Sequence, residues 1–138
     1  MDHNSIIDRE TFEVFEHAED YPKAFICDKR IAHSVALLNK KGYKTIASCS
    51  GHYRLEWNEQ NKTLIYILFD KEYKFNSIPN GFEIMITDGK TQIESFINLT
   101  IENKLRNRIE FERELDIKCQ ILNDWVEKLP VNKERNDE

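Results

Sequence analysis

The chain has 138 residues, 40% of them hydrophobic, the size and apolar content of one domain with its own core. Its net charge of −5 excludes the global basic footprint that drives non-specific nucleic-acid binding, and no apolar run approaches the roughly 20 residues that span a bilayer. Three widely spaced cysteines argue against a disulfide framework and fit a reducing compartment.

Met1-Asp2-His3-Asn4 lacks the basic and apolar regions of a secretory signal, so a soluble, cytoplasmic chain with no membrane partner is expected. The first 22 residues are acidic, a solvated face or a partner-binding surface. Thr11 to Phe15 reads either as a short strand or as one helical turn pairing Phe12 with Phe15. Pro22 ends whatever precedes it. Asp28 is a good helix N-cap. Ile31, Val35 and Leu38 form one apolar stripe, and Gly42 supplies a left-handed C′ position from which Tyr43 folds back on Leu38. A helix over residues 29–41 follows, with His33 as a solvated histidine on its flank.

Tyr43 to Cys49 reads as a strand that Ser50 and Gly51 end. Tyr53, Leu55 and Trp57 alternate with Arg54 and Glu56, a half-buried strand, and Thr63 to Phe69 reads as a central one. The loop from Asp70 to Asn80 carries Tyr73 and Phe75, which are expected to anchor it to the core. Phe82, Ile84 and Ile86 lead into Asp88-Gly89, a type I′ hairpin signal that sets Ile84 opposite Ile93 and Ile86 opposite Thr91. The span 101–129 has neither Gly nor Pro. Ile101, Leu105 and Ile109, then Leu115, Cys119, Leu122, Val126 and Leu129, repeat at helical spacing, and Glu114 and Lys118 make an i, i+4 pair. One long helix is expected there, with a possible break near Glu110, closed by Pro130. The order predicts an α+β fold, a mixed, mainly antiparallel sheet packed by helices at about 29–41 and 101–129. Residues 1–130 form the single domain and 131–138 a disordered tail.

Ser48-Cys49-Ser50-Gly51-His52 falls where a strand runs out. Gly51 permits a conformation that turns backbone N–H groups outward, a concavity suited to an anion. Ser48 and Ser50 add hydroxyl donors, His52 is the candidate catalytic group because it moves a proton near neutral pH, and Tyr53 and Trp57 offer aromatic faces to a base. The plainer alternative is a tight turn between two strands. Cys49-x-x-His52 is also half of a zinc-type pairing that Cys27 or His33 would extend. No second half matches it, so no metal is assigned and Cys27, Cys49 and His52 stand as the alternative metal set. Cys49 itself reads as packing rather than as a nucleophile.

Asp28, Leu37-Leu38-Asn39, Tyr43, Thr45 and Ser48-Cys49-Ser50-Gly51 together resemble the N-terminal signature of the wybutosine-synthesis methyltransferases. Members of that family share a mixed α/β fold and methylate a modified tRNA guanosine with S-adenosylmethionine. The resemblance spans about residues 28–52 and implies RNA modification, with S-adenosylmethionine as the cofactor and RNA or a nucleotide as the ligand. Two positions depart from the family: His52 stands where it has Arg, and Ala47 where it has Ser. The Gly42-Tyr43-Lys44-Thr45 stretch before Cys49-x-Gly51-His52 also resembles small proteins of bacteria and their phages. Two function classes follow: a nucleotide- or tRNA-directed protein working at Ser48–Tyr53, or a non-catalytic binding or inhibitor module of a mobile element that captures a nucleotide-like ligand or a protein partner.

Overall fold

The computed structural model describes residues 4–15, 24–53 and 62–132. Over these the fold is α+β, with two helices and three antiparallel sheets. The first sheet has the order β2-β1-β3, built from β1 (Asn4–Asp8), β2 (Val14–Phe15) and β3 (Ala24–Asp28). Of the two readings of Thr11 to Phe15, the strand holds. Asp8 makes the turn: its Oδ1 accepts from Glu10 N at 2.7 Å and Thr11 N at 2.9 Å, and Phe12 takes φ +57°. β1 and β3 have no counterpart in the sequence reading, being short apolar runs set among polar residues.

A 3₁₀ turn at Lys29–Ile31 leads into α1 (Ala32–Lys40). The predicted cap holds at the far end. Gly42 sits at φ +95°, Gly42 N donates to Asn39 O at 3.0 Å and Tyr43 N to Leu38 O at 2.9 Å, the two bonds of a Schellman motif. At the near end Asp28 makes no side-chain cap bond; its carboxylate is turned elsewhere.

The second sheet has the order β4-β5-β7-β6: β4 (Thr45–Cys49), β5 (Lys62–Phe69), β6 (Glu83–Thr87) and β7 (Lys90–Asn98). The hairpin between β6 and β7 has the expected register, Ile84 opposite Ile93 and Ile86 opposite Thr91, with Asp88 and Gly89 both at positive φ. Ile65, Ile67, Phe69, Ile93 and Ile97 face the helices and share one core with Val35, Leu38, Phe111, Leu115, Leu122 and Val126. Tyr73 and Phe75 stack against Tyr43, Phe69 and Trp125, so the long loop is anchored as expected.

The last helix is shorter than expected. Thr100–Ile101 (β8) and Lys104–Leu105 (β9) pair as a small hairpin, and α2 runs over Arg108–Lys128. Two features override the apolar repeat. Glu102 and Asn103 adopt positive φ, which makes the hairpin turn without glycine, and Asn107 caps the helix by accepting from Ile109 N and Glu110 N. Ile101, Leu105 and Ile109 are therefore exposed rather than core. The Glu114–Lys118 pair gives way to longer-range partners: Glu114 takes Arg106 at 2.7 Å, and Lys118 donates to Ser95 Oγ at 2.7 Å. Asn132, assigned to the tail, bonds Lys41 O and Gly42 O. Among the described residues no helix is long and apolar enough to cross a membrane.

Candidate functional site

β3 and β4 belong to different sheets, and side chains join them. Ser48 lies opposite Ile67 and turns toward β3, where its Oγ meets Cys27 Sγ at 3.5 Å. One residue further along β3 and just past the end of β4, Asp28 Oδ2 accepts from Ser50 N at 2.7 Å and from Ser50 Oγ at 3.2 Å. Cys49 points to the opposite sheet face, beside Tyr66, with Glu94 beyond it in the same row. His52 brings its Nε2 to 3.7 Å from the same Asp28 oxygen. The ligand atoms of Asp28, Cys49 and His52 thus all lie within 4.8 Å of one another.

The expected cradle of unclaimed amides does not form. Ser50 N donates to Asp28, Gly51 N to Cys49 Sγ at 3.5 Å, and His52 N to Thr63 Oγ1 at 2.9 Å. All three acceptors are the chain's own: a carboxylate, a polarisable sulfur and a hydroxyl oxygen. A ligand approaching this turn meets the half-exposed His52 imidazole, with the Asp28 carboxylate behind it already holding the Ser50 N–H.

Of the residues singled out in the sequence, Ser50, Gly51 and His52 come together, and Asp28 joins them from β3. Ser50 is buried and holds the carboxylate. His52 has 48% of its side chain exposed against 17% for Asp28, so the imidazole is the group that meets solvent. Gly51 takes φ +85° with Thr63 close behind it. Tyr53 is committed within the chain: its hydroxyl donates to Arg106 O, its ring packs on Phe111, and the Arg108 guanidinium lies over its face. Trp57, and the strand expected around it, lie outside the described residues. His33 is exposed on α1 and is not among the residues whose ligand atoms meet here.

Burial pushes the Cys27 thiol up to about 11, against a smaller lowering from its Ser48 hydrogen bond; Asp28 and Cys49 raise it further. It stays a thiol, on the buried side of β3. Tyr66 is likewise raised by burial first and then by Cys49 and Asp28. Asp28 is the site residue that sequence reasoning assigned to another role. Its position before a helix reads as a cap, and no local pattern links it to Ser50 twenty-two positions on.

A second hollow lies elsewhere. A groove of about 870 Å³ runs between β2, α1 and α2, floored by Ala36, Leu37 and Cys119 and rimmed by Arg30, His33 and Asp116. Arg30 closes one end by pairing with Glu112 and Asp116.

No family model, curated protein or solved structure matches this chain.

Proposed function

We propose that the protein binds a nucleotide-class ligand at the Asp28–Ser50–His52 seam and acts in RNA modification, the activity its motif residues resemble. One observation carries this reading. The residues of the resemblance are partners of one another: Asp28 with Ser50, Asn39 with Thr45, and Leu38 with Tyr43. They give a single construction in which a helix cap at one end of β4 positions an ionisable cluster at the other. His52 is the ligand-facing group, and the Asp28 carboxylate, held by both donors of Ser50, lies 3.7 Å from its Nε2.

A thermal-shift titration of the full chain with S-adenosylmethionine, S-adenosylhomocysteine and common nucleotides tests this. Free ligand at 100 times Kd stabilises by about 2.7 kcal/mol, and His52→Ala removes the shift. No response to any of these compounds refutes the reading. It leaves the second one, a module that holds a protein partner, for which the groove between α1 and α2 is the supporting observation.

A further inference from the structure

We propose that Asp28, Cys49 and His52 are the ligands of a zinc-class divalent cation. The inference shares its location with the function proposed above but does not depend on a nucleotide. A bound cation would also offset the Asp28 charge that an anionic ligand meets at the seam.

The geometry is that of a site one small adjustment from closure. A tetrahedral zinc with Zn–N and Zn–O bonds of about 2.0–2.1 Å and a Zn–S bond of about 2.3 Å sets its ligand atoms roughly 3.3–3.7 Å apart. The His52 Nε2–Asp28 Oδ2 edge already measures 3.7 Å, and the Cys49 sulfur completes the triangle within 4.8 Å. Rotation about the side-chain bonds of Cys49 and the half-exposed His52 covers the remainder. The donor set of one nitrogen, one sulfur and one oxygen suits zinc or cobalt and disfavours the all-oxygen cations calcium and magnesium.

The surrounding donors are placed as such a site needs them. Gly51 N–H points at Cys49 Sγ, and Ser50 N–H and O–H both point at the Asp28 carboxylate. Hydrogen bonds of this kind fix the orientation of the ligand atoms. Gly51 keeps the chain short between Cys49 and His52 through a positive φ of +85°. Cys27 plays no part: its thiol is buried and turned to Ser48 Oγ.

Binding balances simply. The Cys49 thiol releases one proton to solvent, His52 ligates as the neutral imidazole, and Asp28 as the carboxylate. The thiolate and carboxylate neutralise the dication. Three protein ligands leave a fourth position for water or for a ligand oxygen, the pattern of a working rather than a purely structural zinc.

The probes are zinc and cobalt ions added alone to the chelator-treated full chain. Calorimetry is expected to give one zinc per chain. Cobalt is expected to give a thiolate-to-metal charge-transfer band with intense tetrahedral d–d bands. Cys49→Ser removes the charge-transfer band, whereas Cys27→Ser and Cys119→Ser keep it. Asp28→Asn and His52→Gln each weaken zinc binding by about 100-fold or more, the upper range for loss of a supporting group, while circular dichroism stays that of the parent. No zinc uptake, a cobalt spectrum without the sulfur band, or a band that survives Cys49→Ser overturns the proposal. Metal binding without any nucleotide response would sink the proposed function and leave this site standing; a nucleotide response in chelator without metal uptake would do the reverse.

Discussion

At its N-terminal end, β4 grows out of a helix cap whose polar groups are spent on one another. Asn39 donates through Nδ2 to Val35 O and Thr45 Oγ1 and accepts from Thr45 N; Tyr43 Oη donates to Pro130 O; Lys41 Nζ reaches the carbonyls of Val126, Glu127 and Leu129. At its C-terminal end a similar wealth of polar atoms is spent differently. The amides of Ser50 and Gly51 serve a carboxylate and a sulfur, and an imidazole stands half in solvent beside them. Five residues of strand separate a joint that satisfies its hydrogen bonds from a cluster that concentrates ionisable groups. Hydrogen-bond satisfaction alone does not separate the two ends; what sets the C-terminal one apart is titratable side chains drawn together where a neutral turn would have sufficed.

The comparison is broken most severely by removing Asn39. Asn39→Ala takes away three hydrogen bonds at a buried position and leaves the Thr45 amide without its acceptor. With about 1–3 kcal/mol for each buried group left unmet, a loss of about 2–4 kcal/mol is expected. Chemical denaturation measures it. A loss below about 1 kcal/mol would mean that this end of β4 is as dispensable as any surface turn.

Alkaline pH sharpens the contrast on the seam. The Cys27 thiol is raised from 9.0 to about 11, with burial as the first cause. A folded-state value above the unfolded one means that the folded chain holds its proton longer. The associated stability is complete below pH about 9 and is lost as pH rises toward 11, by about 2–3 kcal/mol at 1.36 kcal/mol per unit. Cys119, raised from 9.0 to about 12 by burial first, adds to the fall from the same starting pH and carries it on toward pH 12. Melting temperatures followed from pH 8 to pH 11 should decline, and Cys27→Ala, although less stable at pH 8, should decline less steeply. Equal slopes for the two proteins would contradict this account of the buried thiol.

Much of the frame is legible in the sequence where local chemistry decides it. Asp88-Gly89 with alternating isoleucines gives the β6–β7 register, Gly42 gives the Schellman cap, and the stripe through Leu115, Leu122 and Val126 gives the buried face of α2. Where a tertiary contact decides, the sequence is silent or misleads. Glu102 and Asn103 turn a hairpin that no glycine announces. Asp28 has the local look of a cap, yet its carboxylate finds better donors in Ser50. The same gap explains the misread cradle. Residue types show that the turn has amides to offer, but not that β3 delivers an acid to claim one of them.

The smallest expected effect probes how tightly that turn is set. A methyl at Gly51 would lie 3.3 Å from Thr63 Cγ2 and 3.5 Å from Thr63 Oγ1, at φ +85°. Gly51→Ala therefore carries two costs, a left-handed backbone of about 1–2 kcal/mol and a steric push on a strand residue. Thr63 cannot simply retreat, because its Oγ1 accepts from His52 N. Thr63→Ser deletes the offending methyl and keeps the acceptor. In that background Gly51→Ala should cost only the backbone portion, and the double-mutant cycle should give a favourable coupling of about 0.5 kcal/mol or more. No coupling would mean that Thr63 moves freely, and that the His52 amide is held less firmly than its 2.9 Å bond implies.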